Sequence, residues 1–188
     1  GYAFFFKYTA GGTGYVRLST YDSLNPRLAC VIYDGATVKS YIVAVNLTGS
    51  WHHCILTHDV STKTLQWWIA GTAETPYTYT IGTPDPLGDI RIGDKIFWSK
   101  YYDGKIDEFR IYSRKLSDTE CVEHYQGIYN NETGLVLYLD FDGEVEDQSG
   151  NGNDGTRYGG TWTDGYANLD VKAELSGTLK QSVSIINT

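Results

Sequence analysis

Apolar residues recur at every second position through most of the chain, the period of strands with one covered face. Tyr2, Phe4, Phe6 and Tyr8 alternate with Ala3, Phe5 and Lys7, a strand with both faces covered. A glycine-rich turn at 11–14 follows, then runs at 15–20, 27–33 and 39–45 separated by turn residues. Residues 51–58 predict the next strand and 64–70 another, across the loop 59–63. In that last run Leu65, Trp67 and Ile69 share a face, so Trp67 and Trp68 point oppositely, one toward a core and one toward the outer sheet face. Tyr77, Tyr79 and Ile81 then alternate with threonines before a proline-bearing loop at 83–88. Many short strands at this spacing predict an antiparallel β-sandwich.

The second half keeps the pattern and adds a helix. In 104–112 Asp107, Phe109 and Ile111 fall on one strand face, and Glu108, Arg110 and Tyr112 on the other. Ser117 then opens a helix: Glu120 stands where a capping box wants it, and Leu116 and Cys121 can form the apolar staple. Gly127 suits a left-handed helix end. Leu135, Leu137, Leu139 and Phe141 share one face and require a core to cover them. Leu169, Val171, Ala173 and Leu175 alternate again, Ser176-Gly177 can turn, and Leu179, Gln181, Val183 and Ile185 share a face. These read as a β-hairpin that needs docking to be stable.

Several stretches resemble the laminin-G-like, concanavalin-A-like lectin and glucanase domains. Gly104 to Tyr112 with its capped helix resembles the family's closing segment. Ser50-Trp51-His52-His53 followed by Cys54-Ile55-Leu56 resembles its G-x-W-H-H strand, and 89–94 resembles the strand before the closing loop. Gly134 to Gly143, then D-Q-S-G-N-G-N-D-G at 147–155, resembles the opening strand and loop. The resemblance implies a concanavalin-A-like antiparallel jelly-roll sandwich with one short helix, spanning 1–163. Within it 133–163 is the opening strand displaced to the end, and 164–188 is left as a hairpin or linking tail. Three readings of the displaced strand stay open. It closes its own sandwich as a circular permutation, begins a further repeat, or inserts into a neighbouring subunit. Permutation is favoured, because the N-terminal part lacks that strand and would otherwise leave a bare sheet edge near 106–111. At one point the chain departs from the pattern: Ala70-Gly71 stands where the family often has Asp-Gly.

Length and charge narrow the function. The chain has 188 residues, enough for one domain with a real core. A formal charge of −8 argues against nucleic acid and anionic membrane as main partners, and no apolar run approaches a membrane span. The first residues lack a basic region and a small-residue cleavage site, so no signal peptide is read there. The mid-strand start suggests a processed or partial chain. Cys30, Cys54 and Cys121 allow at most one internal disulfide, and none sits in a C-x-x-C pair. Two tripeptides, at Asn46 and Asn131, have the form of glycan acceptors.

Three chemistries are candidates. Hydrolases of this fold require paired carboxylates, which the laminarinase-like members carry as E-x-D-x-E on one strand. That motif is absent here, Asp107 and Glu108 alternate in face, and His52, His53, His58 and His124 have no nucleophile motif beside them. No catalytic residue is expected. The loop after the displaced strand offers hard oxygen ligands around glycines, the composition calcium favours. Asp140, Asp142, Asp147, Asn151 and Asp154 are the candidate ligands, although Tyr158 stands where an EF-hand needs a carboxylate. The competing reading is an Asx-rich turn that bonds its own backbone. Finally, 97–103 holds four aromatics before the closing strand. Trp98 and Tyr101 are candidate platforms for sugar C–H faces, with Lys100 and Asp103 for hydroxyls, while Tyr102 and Phe97 can plug the sandwich end.

The expected function is a non-catalytic extracellular module at the cell surface, calcium-assisted, that binds a glycan or an extracellular protein. The alternative is a structural subunit of a surface layer, filament or virion that self-associates or links to further domains through 164–188.

Overall fold

The computed structural model describes residues 3–8, 14–20, 27–47, 49–82, 90–93, 102, 104–163, 166–173 and 182–186; for 3–8, 163, 166–173 and 182–186 it describes the backbone. The strands are β1 Ala3–Tyr8, β2 Tyr15–Thr20, β3 Leu28–Tyr33, β4 Val38–Val43, β5 Cys54–Asp59, β6 Thr64–Ile69 and β7 Thr72–Ala73. Then come β8 Tyr77–Thr78, β9 Ile90–Ile92, β10 Asp107–Tyr112, the helix α1 Asp118–Tyr125, β11 Leu135–Leu139, β12 Gly155–Thr163, β13 Tyr166–Ala173 and β14 Ser182–Ile186.

Among the described residues these form two seven-stranded sheets, with antiparallel pairing throughout. The first runs β12-β13-β9-β1-β2-β3-β4 and the second β11-β10-β14-β5-β6-β7, with β8 also on β6. The main core lies between them. Leu18, Leu28, Cys30, Ile32, Ile90 and Ile92 enter from the first sheet, and Leu56, Leu65, Trp67, Phe109, Ile111, Leu137 and Leu139 from the second. The period of two placed these residues on one face of each strand, and the fold buries those faces together. The architecture is an antiparallel β-sandwich of concanavalin A-like type.

Trp67 is fully buried in this core, whereas Trp68 faces outward into a smaller cluster with Ile55, Tyr112, Leu116 and Cys121. That cluster lies beneath α1, so the outer face of the second sheet is partly roofed. The helix begins as its sequence dictates. Ser117 accepts from the Glu120 backbone amide at 3.3 Å while the Glu120 carboxylate accepts from the Ser117 amide at 2.8 Å, a complete capping box. It ends in a left-handed Gly127 (φ 73°), with the Ile128 amide donating to Glu123 O and the Gly127 amide to His124 O.

The displaced strand, β11, pairs with β10 of the same chain, Phe109 opposite Leu139 and Ile111 opposite Leu137. Past it the chain differs from the expected hairpin over 164–188. β13 pairs with β12 and β9 in the first sheet, and β14 enters the second sheet between β10 and β5. β13 and β14 therefore do not pair with each other. The physical reason is that strand alternation specifies a covered face and not which sheet supplies the partner.

Candidate functional site

The two faces of β10 are unlike. Phe109 and Ile111 point into the main core. Arg110, 4% exposed, lies on the other face between two tyrosine rings, 4.0 Å from the Tyr129 centroid and 3.7 Å from that of Tyr138. Its guanidinium donates to Glu108 Oε2 at 2.6 Å, and the Tyr138 hydroxyl donates to the same carboxylate at 3.0 and 3.1 Å. Burial alone would depress the guanidinium, but Glu108 and the two tyrosines outweigh it and leave its pKa raised. Glu108 is thus a structural acid that neutralises a buried arginine.

Glu108 also occupies the left-handed region (φ 53°), at the irregularity between Asp107 and Phe109 in the pairing with β14. A non-glycine residue there stores about 1–3 kcal/mol of strain. Beside it Asp107 is 7% exposed, and its Oδ1 has no hydrogen-bond partner. Burial, then Glu108, Asp142 and Asp140, push this carboxyl up to about 7, against the pull of the Glu108 backbone amide. The Asp107 carboxylate is thus answered in part, by the Glu108 backbone amide, and its Oδ1 is left without a partner. Asp107 and Glu108 do not form the facing pair that glycoside hydrolysis needs, since one is buried beside the core and the other is spent on Arg110.

The five candidate calcium ligands separate into two groups. Asp147 Oδ1 accepts from the backbone amides of Tyr138 and Ser149, both at 3.0 Å, and its Oδ2 from that of Asn153 at 2.9 Å. Asn151 Nδ2 donates to Leu135 O at 2.9 Å and Val136 O at 3.3 Å, and Asn153 Nδ2 donates to Val136 O at 2.8 Å. The Gln148 amide donates to Tyr138 O at 2.8 Å, and Asp154 Oδ1 accepts from the Asp147 amide at 2.9 Å. The loop thus stands in for a missing neighbour strand, answering the outer backbone groups of β11 with side chains. Asp147 is committed to backbone amides through both oxygens, and Asn151 to backbone carbonyls through its amide nitrogen. Asp140 and Asp142 lie apart from this cap, near Asp107; Asp140 is half-buried and Asp142 exposed. Among the described residues no three of His, Cys, Asp and Glu are grouped to hold a metal ion.

The candidate sugar platform, Trp98, Lys100, Tyr101 and Asp103, lies outside the described residues. Its base is described. The Tyr102 amide donates to Gly93 O at 2.8 Å, and the Tyr102 ring packs against the main core. Tyr102 is thus the plug expected at the sandwich end, and it pins together the two chain positions that flank 94–101. Gly104 keeps that plug seated, since a Cβ there would come within 2.6 Å of the Tyr102 ring.

Two arrangements were missed in the sequence. Tyr158, 61% exposed on β12, lies beneath the Arg91 guanidinium at 5.9 Å. It sits in the register shift between Arg157 and Gly159, which no alternation pattern announces. His53 and His124 come together under α1 with Arg110 beside both, and nothing in the spacing of residues so distant in the chain brings them into one place. The three cysteines are free and buried, each thiol pushed up to about 12 mainly by that burial.

Comparison with known proteins agrees with the geometry. A family described as the concanavalin A-like lectin/glucanases superfamily matches residues 2–121. The match takes in β1 to β10 and the first half of α1 and stops before β11. A search of the curated proteins finds no match. Domains of this laminin-G-like kind are typically non-catalytic and commonly extracellular, although the wider superfamily includes glycosidases. No helix among the described residues is long and apolar enough to cross a membrane. With the matched residues spanning most of the chain, and with both sheets and their shared core in place, the protein belongs to the concanavalin A-like lectin/glucanases superfamily and is a carbohydrate-binding or adhesion-type module.

Proposed function

We propose that this module acts outside the cell as a non-catalytic glycan-binding domain whose platform is Trp98 and Tyr101, with Lys100 and Asp103 addressing sugar hydroxyls. The observation that carries this reading is the hydrogen bond from the Tyr102 amide to Gly93 O, which joins the two described positions on either side of the aromatic stretch. A loop whose ends are joined loses less freedom on binding than one whose ends are free. Glu108, Glu120 and Asp147 are engaged by the protein's own groups, which supports a non-catalytic role, while the buried Asp107 keeps one oxygen unanswered. Calcium assistance is proposed at Asp140 and Asp142, which the edge cap leaves available, with backbone or water oxygens completing the shell.

A glycan array run with calcium and again with chelator, beside Trp98→Ala/Tyr101→Ala, tests the reading. Binding that the double variant loses supports the platform, and loss on chelation that Asp142→Asn reproduces supports calcium there. A protein that melts normally and binds no glycan overturns the proposal. The assembly alternative draws no support from the tail, because β13 and β14 pair within this chain.

A further inference from the structure

Outside the sandwich, on the outer face of the second sheet, Ile55, Trp68 and Tyr112 form an apolar floor, with Leu116 and Cys121 against it. Two imidazoles are buried at the edge of this small core, His53 at 5% exposure and His124 at 2%. The His53 ring lies 5.7 Å from that of Tyr125, and the His124 ring lies 5.6 Å from Tyr112 and 5.0 Å from Tyr129. Neither ring nitrogen of His53, nor Nδ1 of His124, has a hydrogen-bond partner. A neutral imidazole always carries one N–H, so His53 already buries an unanswered donor, and protonation would add a second with a full charge.

The charges facing the pair offer no relief. Arg110 of β10 acts on both rings, and its partner Glu108 is already used. Glu120 and Arg114 face His124 but are bound to each other at 2.6 Å. Glu132, across the floor, accepts from the Tyr112 hydroxyl at 3.0 Å. The segment that covers the floor is meanwhile tied into one piece. Arg114 donates to both Glu120 oxygens and to Thr133 O, and Asn131 Nδ2 donates to Glu120 Oε1 at 2.7 Å. These bonds lie within 113–134 and would move with it. What holds the piece down is the small apolar core, the Arg110 contact to Tyr129, the Arg114 contact to Tyr112 and the Tyr112 bond to Glu132.

We propose that 113–134 is an acid-operated latch: protonation of His53 and His124 beside Arg110 lifts α1 from the second sheet, while the core between the sheets stays closed, and uncovers the floor of Ile55, Trp68 and Tyr112. The sign follows from the two imidazoles. Burial, with the neighbouring positive groups, holds each down to about 4 in the closed form, whereas a released imidazole titrates near its ordinary value of about 6.5. The closed form is fully favoured above the released value and loses ground as pH falls from there toward 4. Over that window the opening constant rises by up to about tenfold per pH unit for each imidazole.

Amide hydrogen exchange read by mass spectrometry at pH 7 and pH 4.5, corrected for intrinsic exchange, tests the latch. Residues 118–128 are expected to lose at least about a hundredfold of protection relative to 28–33 and 64–69. The double variant His53→Phe/His124→Leu should keep them protected at pH 4.5. His58, which faces the main core, is unchanged in both proteins, so its own acid response cancels. Should the double variant fail to fold, His124→Gln alone is expected to halve the logarithmic pH slope of opening. The latch is overturned if 118–128 stays protected at pH 4.5, opens only together with the core strands, or opens with an unaltered pH slope in these variants.

Discussion

Arg110 is the residue on which the outer face of the second sheet depends. It lies flat between Tyr129 and Tyr138 and pairs with Glu108, so truncation leaves an acid without its cation and two rings without their filling. Arg110→Ala should cost about 3–5 kcal/mol, the range for breaking a buried ion pair, read as a shift in the urea midpoint. Arg110→Lys should recover only part of this, because an ammonium keeps the charge but not the planar stack. An alanine variant as stable as the parent would show that the stack is incidental. Glu108 meets this demand from a left-handed position (φ 53°). The local strain and the buried charge are thus two sides of one arrangement, in which the turned backbone delivers the carboxylate to the guanidinium.

At the scale of elements, β11 is finished by its own loop instead of by another strand. Asp147→Ala removes the acceptor for three backbone amides, those of Tyr138, Ser149 and Asn153, and should cost about 2–4 kcal/mol. Faster exchange at the Tyr138 amide would mark the loss as local, and unchanged exchange there would refute the edge-cap role. Burial opposes the charge on Asp147, yet the hydrogen bonds from Ser149, Tyr138 and Asn153 keep its pKa below the ordinary value. Its stabilisation is therefore present above the ordinary carboxylate pKa and fades as pH falls below it. How such elements read in sequence depends on what the pattern encodes. The faces of β10, the opposite turns of Trp67 and Trp68 and the Ser117–Glu120 cap were legible, because each follows from spacing within one element. The role of 147–154 was not, since an Asp, Ser and Asn composition around glycines suits a cation and a backbone edge equally well. Pairing His53 with His124, or seating β14 between β10 and β5, requires knowing which distant segments meet, and periodicity carries no such information.

Across the whole molecule no disulfide joins the layers. Cys30 and Cys54 belong to the main core and Cys121 to the small cluster under α1, all buried as free thiols. Melting with and without reductant should give the same midpoint within error, and a drop of several degrees on reduction would mean that two of these thiols are bridged. Cohesion rests instead on the two sheets and on β14, whose Val183 lies opposite Leu56 on one side and Ile111 on the other. That seat has a consequence for the order of events during synthesis. β5 and β10 are made long before 182–186, so a growing chain holds both halves of the second sheet with a strand-wide slot between them. Until the last strand arrives, two rows of backbone donors and acceptors face outward and invite pairing with any extended segment nearby. The nascent chain must therefore be shielded or kept dilute from the time β10 is made until β14 joins it, and that closure is a slow, long-range step.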